Sequence, residues 1–178
     1  MQKSHGADMK ITKKTRTRDI LPLLTKENLE EVLKDVPEVP LRKPILSLTV
    51  REFGEIVSDE EGYILGLVKN NRRALRFLGR LKSYRKAMDS LNRFIKKFNI
   101  EQTGEEKAAA KGVLFPNFQQ RMLLACAKFF GCKSLEEAGG CKLADYLTIF
   151  QDEASAMLFQ RRHAKILENK YKAKNKRK

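Results

Sequence analysis

The sequence predicts an all-α protein, because apolar residues recur with the period of a helix through most of the chain. Between residues 48 and 98, and again between 118 and 160, they return every three or four positions. No segment alternates polar and apolar residues over the length of a strand. We therefore expect a helical bundle with a long basic helix, a proline-rich linker and basic disordered termini. Its core should contain helices over residues 59–98, 118–130 and 142–160.

The first part of the chain divides into a tail, a short helix and a linker. Residues 1–18 carry a net charge of +5 and few apolar side chains, so they are predicted to form a flexible basic tail. Residues 19–36 are predicted to contain a short helix that Thr25 caps. Prolines recur through residues 37–47 and disfavour helix at the positions before them, which predicts an extended linker.

Residues 48–99 are predicted to form a basic helical segment that opens with a capping box at Thr49. A second box, which starts at Ser58, begins a long helix over about residues 59–98. The apolar face of this helix rotates by about 140° after Gly79. Either the helix breaks or kinks near Gly79, which we favour, or one continuous helix buries its two halves against different partners.

The C-terminal part continues the helical pattern. Residues 100–112 are predicted to form a second linker, residues 113–169 a helical core and residues 170–178 a basic tail. Within the core, Asn117 is placed to cap a helix that Gly131 ends. A single helical turn and a long last helix follow it.

Positive charge is concentrated in the basic segment. The chain has a formal net charge of +15 at pH 7, and residues 69–97 hold eleven Lys or Arg against one acid, Asp89, which leaves +10. Residues 161–178 sum to +8, whereas residues 19–68 and 98–160 sum to −6 and −2. This distribution indicates a polyanionic partner. The candidate polyanion-binding residues are Lys69, Arg72, Arg73, Arg76, Arg80, Lys82, Arg85, Lys86, Arg93, Lys96 and Lys97.

Three interpretations of this basic helix stay open. Binding to nucleic-acid backbone, aided by the tails, would relieve the repulsion among the cations and release condensed counterions. It would involve little sequence specificity, because the helix lacks base-reading Asn or Gln at ordered spacing. Docking on an acidic protein surface, or on the acidic parts of this chain, would relieve the same repulsion. The third interpretation is an ordinary solvated face. Nucleic acid is our first hypothesis.

The residue types do not indicate catalysis. The two histidines are His5 and His163, and no glycine-rich phosphate loop, nucleophile elbow or paired carboxylate in an apolar setting occurs. The three cysteines follow the spacing C-x5-C-x8-C, which differs from that of structural zinc sites. We expect them to be reduced core residues. The chain is therefore predicted to be non-enzymatic, with no cofactor and no metal.

Two further classes are disfavoured. Residues 118–140 match a helix-turn-helix superficially, but the second helix would be one acidic turn, so we expect a packing corner between core helices. No apolar run is long enough to span a bilayer, and the basic N-terminus lacks the apolar region of a secretory signal. We therefore expect no membrane partner and a cytoplasmic location.

The C-terminal half carries a resemblance over about 55 residues. The residues that carry it are Phe115, Pro116, Asn117, Phe118, Leu124, Cys126, Phe129, Phe130, Gly131, Ser134, Glu137, Ala138, Ala144, Asp145, Tyr146 and Leu147. With them this half resembles small all-helical phage proteins of the tail-assembly-chaperone kind. The resemblance implies a virion or assembly protein that acts through protein–protein contact, and it says nothing of the basic helix. In this alternative function the basic helix would dock on acidic protein surfaces, in what could be a larger assembly.

Overall fold

A computed structural model describes residues 11–114 and 116–175 of the chain. Within these residues every regular element is helical and no strand occurs, which confirms the predicted all-α class. Short 3₁₀ turns cover Leu21–Leu23 and Ile45–Ser47. The helices are α1 (Thr17–Ile20), α2 (Lys26–Lys34), α3 (Val50–Ser58), α4 (Glu60–Asn70), α5 (Ala74–Phe98), α6 (Gly104–Ala109), α7 (Phe118–Phe130), α8 (Leu135–Ala138) and α9 (Leu143–Asn175).

The chain folds into two compact units. The first contains the residues up to Leu48 together with Glu52–Leu91, and the second contains Thr49–Arg51 and the chain from Asn92 onward. The helices that we expected to share one core are therefore divided. Helix α4 and most of α5 belong to the first unit, whereas α7 and α9 belong to the second.

Residues 11–18, which the sequence assigns to a flexible tail, are an ordered part of the first unit, so that prediction is wrong for them. The backbone N–H of Thr17 donates to the carbonyl of Arg72 over 3.0 Å. One step along, the N–H of Ala74 donates to the carbonyl of Thr15 over 3.0 Å. These bonds satisfy backbone groups that a disordered tail would leave to water.

Burial adds to this anchoring. Thr17 is buried, and its hydroxyl donates to the backbone carbonyl of Asn71. Ile20, at the end of α1, is buried as well. The burial of Ile20 and the satisfied hydrogen bonds of the buried Thr17 offset the like-charge repulsion that predicts a disordered tail. The predicted tail residues 1–10 lie outside the described residues.

The predicted short helix over residues 19–36 is α1, a 3₁₀ turn and α2 in sequence. The cap predicted at Thr25 is confirmed, because its hydroxyl accepts a hydrogen bond from the N–H of Asn28 over 3.3 Å. After α2, residues 37–44 contain no helix.

The long helix predicted over residues 59–98 is broken, but not near Gly79. Helix α4 ends at Asn70 and α5 begins at Ala74. Asn71 between them has an extended backbone, and its side-chain amide donates to the carbonyl of Leu67 over 2.6 Å. An asparagine can compete with the backbone in this way, and the pairing with the N-terminal segment then satisfies the freed backbone groups.

Gly79 lies inside α5, so the predicted break there is wrong. A Cβ atom at Gly79 would lie 2.6 Å from the carbonyl oxygen of Pro37 and 2.6 Å from Val39 Cγ2. The N–H of Val39 donates to the carbonyl of Gly79 over 3.2 Å. The glycine therefore permits close approach of the linker to the helix, and α5 continues through it. The change of apolar phase reflects one helix with two differently packed halves.

The remaining helix ends depart from prediction in two places. Asp59, and not Ser58, caps α4, with its carboxylate accepting from the N–H of Gly62 over 2.8 Å. The last helix extends to Asn175, so residues 170–175 are helical where a tail was predicted, and residues 176–178 lie outside the described residues. The polar composition of this end predicted disorder, but Glu168 and Lys172 form an ion pair one turn apart along it.

The second unit is built around α7, α8 and α9. Asn117 caps α7, and Gly131 ends it in the left-handed conformation with φ of 65°, as predicted. Met122 and Cys126 of α7 and Tyr146 of α9 are buried. The predicted second linker over residues 100–112 contains the short helix α6.

Candidate polyanion-binding surface

The eleven candidate cations occupy the stretch from the end of α4 to the end of α5. Lys69 lies in the last turn of α4, Arg72 and Arg73 lie in the junction, and the others lie on α5. The members up to Lys86 belong to the first unit, and the last three, from Arg93 onward, belong to the second. Some of these side chains form hydrogen bonds or ion pairs with other residues of this chain, and the others face solvent.

Lys82 serves the fold. Its ammonium group donates to the backbone carbonyls of Lys34 over 2.9 Å and of Val36 over 2.8 Å. Lys34 is the last residue of α2, where the unpaired carbonyls and the negative end of the helix dipole favour a cation. Lys82 therefore connects the end of α2 to α5 through hydrogen bonds. Its predicted place on the polyanion-binding surface is not supported.

The next two cations bind carboxylates of the acidic N-terminal stretch. Arg85 forms an ion pair with Glu30 of α2. Lys86 donates to Glu38 over 2.8 Å, and this hydrogen bond lowers the pKa of the Glu38 carboxyl. The interpretation in which the basic helix docks on acidic parts of this chain thus applies to this face of α5.

Arg80 is committed to the α4–α5 junction. One guanidinium nitrogen donates to the side-chain oxygen of Asn71 over 2.7 Å. Its Nε atom is buried and has no hydrogen-bond partner among the described residues. Asn71 is only 1% exposed, so Arg80 completes the hydrogen bonding of a buried amide and is not free to leave it.

The cations that remain open cluster at the junction. Lys69, Arg72 and Arg76 are exposed, and their side chains form no hydrogen bond or ion pair within the part of the chain that the structure describes. Arg73 is exposed too, but its guanidinium donates to the carbonyl of Lys13 over 2.8 Å. That bond ties the junction to the N-terminal segment.

A cavity of about 650 Å³ lies where these two segments meet. We call it the basic cavity. Its cationic lining residues are Lys14, Arg16, Arg18, Arg72 and Arg73. Thr17, Val68 and Asn71 complete the lining among residues 11–114 and 116–175, and none of these lining residues is acidic. Asp19 supplies a counter-charge to one of these cations, with a carboxylate oxygen 3.5 Å from Nε of Arg18, and both side chains are exposed.

The sequence did not single out the N-terminal cations of this cavity. It assigned Lys14, Arg16 and Arg18 to a tail that assists binding and gave them no fixed place. Only the pairing of Thr17 with Arg72 brings them to the junction. The sequence does show a net charge of +5 in residues 1–18, but this charge does not indicate where in the fold these cations lie.

The last candidate cations lie in the second unit. Arg93, Lys96 and Lys97 are exposed at the end of α5. The ammonium group of Lys97 stands 5.4 Å from the centre of the Phe98 ring, within cation–π range. Phe98 in turn packs against Phe94, with ring centres 4.9 Å apart.

The three cysteines come together in the second unit. Burial, followed by the neighbouring Cys141 thiol, raises the pKa of Cys126 to about 12. The pKa of Cys132 is raised as well, chiefly by desolvation. All three are free thiols, and no group of three or more His, Cys, Asp or Glu able to hold a metal occurs in the described chain.

The apparent helix-turn-helix of residues 118–140 does not present a reading helix. Helix α8 is a single turn that Ser134 caps, and its solvent-facing charges, Glu136 and Glu137, are acidic. Its backbone contacts residues at the start of α3, where the N–H of Arg51 donates to the carbonyl of Gly139 over 3.1 Å. Residues 118–140 therefore form a packing corner within the second unit.

Among the described residues, each helix is too short or too polar to cross a membrane. No protein-family model, curated protein or solved structure matches this chain.

Proposed function

We propose that the protein is a non-enzymatic, cytoplasmic binder of nucleic-acid backbone that acts with little sequence specificity. The observation that supports this proposal best is the basic cavity together with the open cations beside it. Positive side chains gather there, and none of the lining residues that the structure describes is acidic, which produces a local potential that attracts phosphate. Binding would release the counterions condensed on the phosphates.

The proposed contact set differs from the one that the sequence predicts. Arg80, Lys82 and Arg85 are occupied within the fold, so their contribution to an external partner is small. The proposed contacts in the first unit are Lys14, Arg16, Arg18, Lys69, Arg72, Arg73 and Arg76. The exposed amide beside them, Asn70, donates to the Gly66 carbonyl over 2.8 Å, so the surface offers cations more than base-reading groups, which favours phosphate contacts over sequence readout.

A second candidate function is a phage-type virion or assembly protein that docks on acidic protein, as the resemblance of the C-terminal half implies. One observation favours it. Lys82, Arg85 and Lys86 already bind carbonyls and carboxylates from the acidic part of this chain. Cations of α5 therefore do pair with protein acids, and the open cations Lys69, Arg72 and Arg76 would be the ones that meet an external acidic surface.

Fluorescence anisotropy with labelled mixed-sequence duplex and single strand, over a salt series, tests the proposal. If all seven proposed cations contact phosphates, log affinity should fall against log salt with a slope of about −6 for a duplex. Replacing Lys69, Arg72 and Arg76 with glutamine should weaken binding by orders of magnitude and make the slope shallower by about 3. The far-UV circular dichroism of this variant should match that of the wild type, because all three side chains are exposed.

The matched control removes the same charge from the face that serves the fold. In it Lys82, Arg85 and Lys86 become glutamine. We expect reduced thermal stability and a nearly unchanged salt slope, because these side chains bind this chain. If the slope of log affinity against log salt becomes shallower by the same amount in both triple variants, the proposed site is wrong. Absence of duplex and single-strand binding at about 50 mM salt would reject nucleic acid and leave the acidic-protein function.

A further inference from the structure

The basic cavity is a concave site and not merely a charged surface. Its volume of about 650 Å³ lies within the range of small-molecule pockets, about 300–1,000 Å³. Of the eight lining residues in the described part of the chain, five are cationic and none is acidic. A space of this size can hold a group as large as a nucleotide, whereas the body of a duplex would lie across its mouth.

The cations of this cavity are held in place by the fold. Lys14, Arg16 and Arg18 come from the N-terminal segment, and Arg72 and Arg73 come from the α4–α5 junction. Two backbone hydrogen bonds of 3.0 Å join the segments. The bond from the Arg73 guanidinium to a carbonyl of the N-terminal segment, 2.8 Å long, adds a third tie.

Buried polar groups support the same junction. The hydroxyl of Thr17 donates to the carbonyl of Asn71, and both residues are buried in the cavity wall. The Asn71 side chain is itself held by hydrogen bonds to the α4 backbone and to Arg80. A ligand would therefore meet cations whose backbones are already fixed, which lowers the ordering cost of binding.

The chemistry of the lining selects a particular anion. A phosphate inside a nucleic-acid strand is a diester with one negative charge, and these charges are spread along the chain. A phosphate monoester carries about −1.5 to −2 at neutral pH on three accepting oxygens. Guanidinium groups bind such oxygens in bidentate pairs. The four lining arginines match the compact, more highly charged group better than the diester.

We propose that the basic cavity binds a phosphate monoester, either at the 5′ end of a nucleic-acid strand or in a free nucleotide. The cavity holds the terminal phosphate, and the exposed cations outside it, Lys69 and Arg76, contact the following backbone. The strand-end form of this inference rests on the proposed function, since that function supplies the polymer.

The test compares a single strand that carries a 5′ phosphate with the same strand that carries a 5′ hydroxyl, by anisotropy on the full chain. We expect the phosphorylated strand to bind about tenfold more tightly, because it adds charge-assisted hydrogen bonds. Replacing Lys14 and Arg72 with glutamine should abolish this preference. The control, with Lys69 and Arg76 replaced by glutamine, loses the same charge and should weaken both strands while keeping their ratio.

Calorimetry with adenosine monophosphate, and with adenosine as its control, forms the second arm. Equal affinity of wild type for the two strands with no binding of adenosine monophosphate, or a strand preference that survives in the cavity variant, would overturn the inference while leaving backbone binding intact. If neither strand binds but adenosine monophosphate binds to wild type and not to the cavity variant, the site takes a free monoester and the proposed function fails. Absence of binding in both arms would overturn both.

Discussion

Replacing Gly79 with alanine should destabilise the first unit, although alanine is the better helix former. At an open helical site this change gains about 0.5–1 kcal/mol. Inside α5 the new methyl group would lie 2.6 Å from the carbonyl oxygen of Pro37 and from Val39 Cγ2. The valine methyl can rotate away, but the carbonyl belongs to the backbone and can move only with the linker.

The magnitude follows from three terms. Overpacking of this kind costs about 1–3 kcal/mol, and the backbone contact places Gly79 at the upper end. Displacing the linker also lengthens the 3.2 Å hydrogen bond from Val39 to the carbonyl of Gly79, at a cost of about 1 kcal/mol. After the helix-propensity gain, we expect the free energy of unfolding to fall by about 3 kcal/mol.

Gly66 provides the matched control, because it lies inside α4 and a Cβ atom there meets nothing within 4 Å. Gly66→Ala should raise the free energy of unfolding by about 0.5–1 kcal/mol. Urea denaturation of both variants, followed by far-UV circular dichroism, measures the difference. If Gly79→Ala proves as stable as Gly66→Ala, close packing does not explain the glycine, and a hinge within α5 becomes the better account.

Two further predictions test the buried polar groups. Asn71→Ala should lower the free energy of unfolding by about 2–3 kcal/mol, because it leaves the half-buried Arg80 guanidinium without its acceptor. The control is Asn70→Ala at the exposed neighbouring position, which should change the free energy of unfolding by less than about 1 kcal/mol. Equal effects of the two substitutions in urea denaturation would contradict this role of Asn71. The raised pKa of Cys126, about 12, should make it the last of the three cysteines to react with iodoacetamide at neutral to mildly alkaline pH. Its alkylation rate should be roughly a thousandfold lower than in the unfolded chain. If mass spectrometry shows Cys126 labelled as fast as the other two cysteines, the thiol is not buried. Because this pKa is raised on folding, stability from the protonated thiol should be fully present below about pH 9 and be lost as pH rises toward 12.

The sequence located helices better than it located their interruption. The 3.6-residue apolar pattern predicted the all-α class, and local capping chemistry predicted the starts at Thr25 and Asn117. These signals act within one helical turn, so they can be read from neighbouring residues. The helix break is different, because Asn71 becomes favourable there only when residues 15–17 supply hydrogen-bond partners.

The glycine at position 79 shows the same limit. From the sequence, a mid-helix glycine and a change of apolar phase indicate either a break or a change of packing partner. The choice depends on which chain segment approaches the helix. The linker does so at Pro37 and Val39, and no local pattern around Gly79 contains that information.

The same division applies to the candidate site. Composition and spacing by themselves determined that the protein is helical and that its positive charge is concentrated on one stretch, because both properties depend on residue type and order alone. Only the tertiary structure decided which cations are available. It pairs Arg85 and Lys86 with acids from α2 and the linker, and it brings Lys14 to Arg72 across the chain. Ion pairing and cavity formation depend on distances between residues far apart in sequence, and those distances exist only after folding.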